Sequence, residues 1–169
     1  MLEAIARFSR RARASLLYIA ATGLVLMTAI IGWQVFGRFV LQSSPSWSEQ
    51  ASLVLMIWYV FFAAAAGVSE GFHIRITAAQ DMAPAALRRV MQIAAQGLVA
   101  ACGLGLLIWG GELVAETWSH TIPTLGLPRG FAYLPLPISG VLITLFALEA
   151  LIETAAGADS EAASGADKE

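Results

Sequence analysis

Long apolar stretches without charge alternate with short polar connections along this chain. Asp, Glu, Lys and Arg are absent from four runs, at residues 16–37, 51–69, 90–111 and 130–148. Each run has about the 17 to 25 residues that a helix needs to cross the hydrocarbon core of a bilayer. The runs are apolar at consecutive positions, whereas strands of a membrane barrel would alternate over about ten residues. The pattern predicts an all-α integral membrane protein with four transmembrane helices.

The composition agrees with the pattern. Apolar residues make up 58% of the chain and charged residues 13%, against about 25% charged in an average soluble domain. The mean hydropathy is +0.72. The lipid bilayer is therefore the first predicted partner, and no nucleic-acid partner is predicted.

Arginine is distributed unevenly among the connections. Four arginines precede the first run and three lie between residues 70 and 89, whereas the two other connections hold only Arg38 and Arg129. Positive side chains accumulate on the cytoplasmic side of membrane proteins. Both termini are therefore predicted inside, and the connections at 38–50 and 112–129 outside.

The two ends of the chain differ in character. Residues 1–15 form a basic cytoplasmic leader, and the run after them is longer than the 7 to 15 apolar residues of a typical signal peptide, so a membrane anchor is predicted. Residues 16–153 form the membrane domain. Residues 154–169 are small, polar and acidic and lack the apolar side chains that would repay ordering, which predicts a disordered cytoplasmic tail.

Residue types that carry chemistry are missing from the four runs. Transporters and proton relays usually place ionisable groups at depth, and axial haem ligation would need histidines inside the bundle, yet His73 and His120 both lie in connections. Glu112, Glu116 and His120 would share a face of a continued helix, but they are spaced too far apart to close around one ion. Cys102 stands alone. No catalytic residue, cofactor or metal site is predicted, and the chain is not expected to be an enzyme.

The runs do offer surfaces for close helix contact. Gly97, Ala101 and Gly105 form a small-xxx-small ridge. Such ridges let helix backbones approach closely. Two interpretations are open: the ridge packs inside the bundle, or it contacts a partner subunit.

Two short segments flank the second run. Ser46 to Glu49 has the S-x-x-E form of a helix cap, with Trp47 at the depth that indoles favour. At the other end EGFHIRI, residues 70–76, is where the helix leaves the membrane. Its charges keep the helix from sliding outward, because an arginine such as Arg75 would cost about 2.5 to 3.5 kcal/mol at the bilayer centre. His73 is either a neutral hydrogen-bonding post or a proton-sensitive switch.

Residues 38–76 also resemble the signature region of the small membrane subunit, the DctQ type, of tripartite ATP-independent periplasmic (TRAP) transporters. The matching residues there are Arg38, Phe39, Trp47, Glu49, Trp58, His73, Ile74 and Ile76, and those of a second match at 124–140 are Leu125, Pro128, Tyr133, Pro137 and Gly140. The chain departs from the family's pattern at Gln50, Glu70, Thr77 and Arg129.

The resemblance implies a division of labour in a bacterial inner membrane. A periplasmic substrate-binding protein captures a small organic acid, a large membrane permease subunit carries it inward on a sodium gradient, and the small subunit is the scaffold. Two alternatives are kept: a self-contained homodimeric four-helix exporter, which would need an intramembrane carboxylate, and an assembly factor that differs only in its partner. The candidate partner contacts are Arg38, Trp47, Glu49, Trp58, His73, Arg75, Gly97, Ala101 and Gly105.

Overall fold

Five helices make up almost all of the residues that the computed structural model describes, which are 2–43, 45–70 and 85–166. Four segments are long and apolar enough to cross a membrane, with mean hydropathies between 1.9 and 2.1. Within the described ranges, β structure is limited to one isolated bridge in the connection after the third long helix. The predicted all-helical class with four spans is confirmed. The helices are α1 (Leu2–Phe39), α2 (Ser48–Glu70), α3 (Ala85–Thr117), α4 (Arg129–Tyr133) and α5 (Pro135–Ala166).

The helices are longer than the uncharged runs. α1 continues back through the basic leader to Leu2, and α5 continues past Glu153 to Ala166. Alanine and arginine are good helix formers, so the helix can continue past an apolar run. The end of such a run marks where the chain leaves the hydrocarbon core and not where the helix ends. The boundaries at 15 and 153 therefore do not coincide with helix ends, and the separate leader and the disordered tail stay predictions.

The four long helices lie in a row. Among the described residues α1 packs along α2, α3 packs along α5, and α2 contacts α5, which gives the order α1, α2, α5, α3. The two outer helices are correspondingly less covered. In the most apolar window of each span, 11% and 17% of residues are buried in α1 and α3, against 22% and 39% in the spans of the inner helices α2 and α5. A row leaves two broad apolar faces that the chain itself does not cover.

The core runs along α2, between α1 on one side and α5 on the other. Its buried members are Leu16, Ala20, Phe62, Ala65, Ala66, Ile143 and Phe146. Small side chains set the spacing, because Ala65 and Ala66 are fully buried. Helices without bulky residues at the contact can pack closely in a membrane, where van der Waals contact replaces the hydrophobic effect as the main attraction between helices.

Glycines set the contact between α3 and α5. A Cβ atom on Gly140 would lie 2.6 Å from the backbone nitrogen of Leu107 and 2.7 Å from the carbonyl oxygen of Gly103. A Cβ on Gly110 would lie 2.9 Å from that of Leu136. The two backbones are therefore close enough that side chains at these positions would force them apart.

Candidate subunit interface

The connection between α1 and α2 ends in a compact turn. The Ser48 hydroxyl donates a hydrogen bond of 2.8 Å to the carbonyl oxygen of Pro45, and the Ser52 hydroxyl donates one of 2.8 Å to the carbonyl oxygen of Ser48. Ser48 is fully buried and is the first residue of α2. The predicted cap at Ser46 is wrong, because Ser46 lies in the turn and the helix begins two residues later.

Three candidate residues lie together at this end of the row. Arg38 is in the last turn of α1, Glu49 is in the first turn of α2, and Trp47 lies in the turn between them. All three are exposed, Trp47 to 43%. Because they are at the end of two spans, their side chains are placed to meet lipid headgroups or a neighbouring protein.

The connection between α3 and α4 is a folded hairpin at the same end. The Ile122 nitrogen donates to the Leu127 carbonyl at 2.8 Å, and the Arg129 nitrogen donates to the His120 carbonyl at 2.6 Å. Gly126 takes a φ of +67°, which L side chains rarely adopt. The hairpin thereby fixes the first residue of α4.

The hairpin also bears on the helical face that was predicted to carry two glutamates and a histidine. α3 ends at Thr117, so His120 is not on a helical face with Glu112 and Glu116, and that alignment is wrong. The His120 nitrogen instead donates to the Thr117 carbonyl at 3.1 Å, which turns the chain away from the helix axis. Among the described residues, no group of three His, Cys, Asp or Glu side chains could hold a metal ion.

Trp58 packs mainly inside the chain. Its ring lies 5.7 Å from Phe62 in an edge-to-face arrangement and 5.2 Å from Phe131 of α4, tilted by 33°. The indole nitrogen is buried and has no hydrogen-bond partner among the described residues. Trp58 therefore joins α2 to α4, and its role as a partner contact stays a prediction.

The small-residue ridge on α3 faces away from the rest of the chain. A Cβ on Gly97 would have no atom within 4 Å, and Ala101 is exposed. The space beside Gly105 is occupied by Trp109 of the same helix, 2.9 Å from the added Cβ. The interpretation that the ridge packs inside the bundle is therefore wrong.

The ridge was a candidate for helix packing inside the bundle, but other residues of α3, which were not predicted, make that contact. α3 meets α5 through Gly103 and Gly110, seven positions apart and so on one helix face. The seven-residue spacing in the sequence indicates a small-residue face for helix contact, although it does not identify α5 as the partner. Gln96, buried to 5% exposure, adds a hydrogen bond of 3.2 Å from its amide nitrogen to the Thr154 hydroxyl.

The last two candidates, His73 and Arg75, lie outside the described residues. The described candidates thus divide into an exposed group at the connection end, an exposed small-residue ridge on α3, and the internally packed Trp58.

A family model settles what kind of protein has this architecture. The model of the tripartite ATP-independent periplasmic transporters, DctQ component, matches residues 27–157, most of the chain. The chain belongs to the DctQ family. The match runs from the first span into the last helix, so this DctQ protein is a multi-pass membrane protein and a transporter component.

Curated relatives of this DctQ chain carry the same description. A putative TRAP transporter small permease protein from Haemophilus influenzae is 25% identical over 91% of this chain and 94% of its own length. The sialic acid TRAP transporter small permease protein SiaQ of Vibrio cholerae is 22% identical over 73% of this chain and 71% of its own. The ectoine TRAP transporter small permease protein TeaB of Halomonas elongata is 28% identical over 75% and 66%.

Proposed function

We propose that this chain is the scaffold subunit of a TRAP-type secondary transporter in a bacterial inner membrane. It binds a large membrane permease subunit, and together with a periplasmic substrate-binding protein the complex imports a small organic acid on a sodium gradient. The observation that carries the proposal is the family match, which runs from within the first span into the last helix. Sialic acid, named for one relative, is an acid of the proposed kind.

The chemistry of the spans supports a scaffold role over a transport path. The runs 16–37, 51–69, 90–111 and 130–148 contain no Asp, Glu, Lys, Arg or His. A coupled ion or a carboxylate substrate needs charged or strongly polar partners at depth, because an unpaired charge there costs several kcal/mol. The same absence argues against a self-contained exporter.

The row of helices supports partner binding. A closed bundle hides its apolar stripes inside, whereas this row exposes two apolar faces and carries on α3 a small-residue ridge with open space at Gly97. In a bilayer, small residues favour association with another helix because they allow backbone contact. We assign the Gly97 and Ala101 ridge to the large subunit, with Arg38, Trp47 and Glu49 at the connection end as further contacts.

The sidedness in this proposal follows the arginine distribution. With both termini inside, the exposed group at Arg38, Trp47 and Glu49 and the 118–128 hairpin face the periplasm. The connection at 70–89, which contains His73 and Arg75, then lies at the cytoplasmic surface.

Co-purification with the large subunit tests the assignment. The chain is co-expressed with a large TRAP permease subunit that carries a tag. Gly97→Leu should reduce recovery of the chain at least about tenfold, because a bulky side chain removes the close backbone contact. Gly32→Leu is the matched control, since Gly32 also has no atom within 4 Å of an added Cβ but lies on α1. Equal recovery of the Gly97→Leu variant and the control contradicts the ridge assignment, and no recovery of the wild-type chain contradicts the scaffold function.

A further inference from the structure

A groove lies between α2 and the α3–α4 hairpin. Its volume is about 380 Å³. One wall is the stripe of α2 between Leu53 and Phe61, and the other is formed by Ile122 and Ala132. Both Ile122 and Ala132 are buried beneath the groove, with exposures of 5% and 4%. The groove is therefore a formed concavity with an apolar lining and not a flat helix face.

The polar residues of the groove are at its connection end. They are Gln50 in the first turn of α2, and Arg129 and Tyr133 at the two ends of α4. The backbone of Arg129 is held by its hydrogen bond to His120, and its side chain is exposed and makes no ion pair within the part of the chain that the structure describes. The groove thus combines a cation at the membrane boundary with an apolar channel that leads into the span.

This combination selects an amphiphile with an anionic head. A carboxylate-bearing substrate would not gain from the apolar wall, and a lipid without a phosphate would not gain from Arg129. The volume lies within the range of about 300 to 1,000 Å³ that small ligands occupy, whereas a partner helix docks on an extended surface. The α2 wall from Leu53 to Phe61 extends about 12 Å into the span, which suits a single acyl chain.

We propose that this groove binds an anionic phospholipid of the membrane leaflet at the connection end. The phosphate accepts hydrogen bonds from the Arg129 guanidinium, and one acyl chain lies along α2 between Leu53 and Phe61. The proposal does not depend on the transport function, because it needs only the membrane.

Native mass spectrometry of the full chain in neutral detergent tests the site. The purified chain is titrated with phosphatidylglycerol or with diacylglycerol of the same acyl chains, and the one-lipid adduct is quantified. We expect phosphatidylglycerol to bind more tightly, and Arg129→Gln to weaken it about tenfold, as loss of a charged hydrogen-bonding group does. Diacylglycerol binding should change less than about twofold, because diacylglycerol has no phosphate for Arg129 to bind.

Two controls separate the groove from general surface charge. Arg38→Gln removes an exposed arginine at the same end that does not line the groove, and it should leave phosphatidylglycerol affinity unchanged. Val60→Trp fills the groove from its wall and should lower the affinity for both lipids. Circular dichroism checks that each variant stays helical. Equal losses for Arg38→Gln and Arg129→Gln, unchanged binding by Val60→Trp, or no preference for phosphatidylglycerol would each overturn the proposal.

Discussion

The contact between α3 and α5 allows a quantitative prediction at Gly140. Gly140→Ala adds one methyl group that would lie 2.6 Å from the Leu107 nitrogen, about 0.8 Å closer than the 3.4 Å at which ordinary contact begins. The obstructing atoms belong to the backbone, so no side chain can rotate away. Overpacking of this kind costs about 1 to 3 kcal/mol, and a gap of about 0.5 to 1 Å along the rest of the contact forfeits a quarter to a half of its dispersion energy.

A second term has the opposite sign. Alanine is better than glycine in a helix by about 1 kcal/mol. The net loss in free energy of unfolding for Gly140→Ala should therefore be up to about 2 kcal/mol. Gly97→Ala is the matched control, because the added methyl group meets nothing within 4 Å and only the helix term remains. That variant should be more stable by up to about 1 kcal/mol.

Reversible unfolding in mixed micelles, followed by far-ultraviolet circular dichroism, measures both variants. The ordering Gly97→Ala above wild type above Gly140→Ala is expected. If Gly140→Ala were as stable as Gly97→Ala, the glycine contact between α3 and α5 would not exist as described, and the row order α1, α2, α5, α3 would lose its main support.

Three further predictions concern the core, the sidedness and the second connection. Trp58→Phe removes a buried indole donor that has no described partner and keeps a ring beside Phe131, so the free energy of unfolding should change by less than about 1 kcal/mol, whereas Trp58→Ala should lower it by about 3 kcal/mol in the same assay. A large loss for Trp58→Phe would show that the indole nitrogen has a partner. In a Cys102→Ala background, Thr124→Cys should react with an impermeant thiol reagent in intact cells and Ser164→Cys should not. Labelling at position 164 would contradict the proposed orientation of the last helix. His73→Gln should preserve assembly with the large subunit and His73→Leu should weaken co-purification, because a hydrogen-bonding post needs a hydrogen-bonding side chain and not a titrating one. Normal assembly of both variants, with the pH dependence of uptake lost in His73→Gln alone, would favour a proton-sensitive switch.

The number and type of the long helices could be predicted because hydropathy reports them directly. An uncharged run such as 90–111 has few alternatives to a spanning helix, and α3 contains it entirely. The ends of the helices could not be predicted from hydropathy, because the membrane boundary and the helix end are set by different forces. Ala and Arg in the leader keep α1 helical well beyond the apolar run.

The arrangement of the helices could not be predicted from the runs. Which helix packs on which depends on contacts that are far apart in the chain, such as Gly103 with Gly140, and hydropathy contains no information about them. The small-residue pattern was ambiguous for the same reason. Gly97 to Gly105 and Gly103 to Gly110 are both small-residue patterns on one helix, and only the structure shows that the second faces α5 and the first faces outward.

Of the candidate site, the exposed group at the connection end was predictable from the resemblance, and the groove was not. Arg129 and Leu53 are far apart in sequence, and they line one groove only because the 118–128 hairpin folds α4 back against α2. Trp58 shows the converse, since a residue of the family signature turns out to hold α2 to α4 within the chain.

Sodium-driven uptake into proteoliposomes tests the central claim that this chain is a scaffold and not a transport path. The purified chain is reconstituted alone, and in parallel with its large subunit and the periplasmic binding protein, and uptake of radiolabelled organic acid is measured under an inward sodium gradient. Uptake is expected only from the complete system, because the four runs contain no Asp, Glu, Lys, Arg or His. Sodium-dependent uptake by the single chain would contradict it.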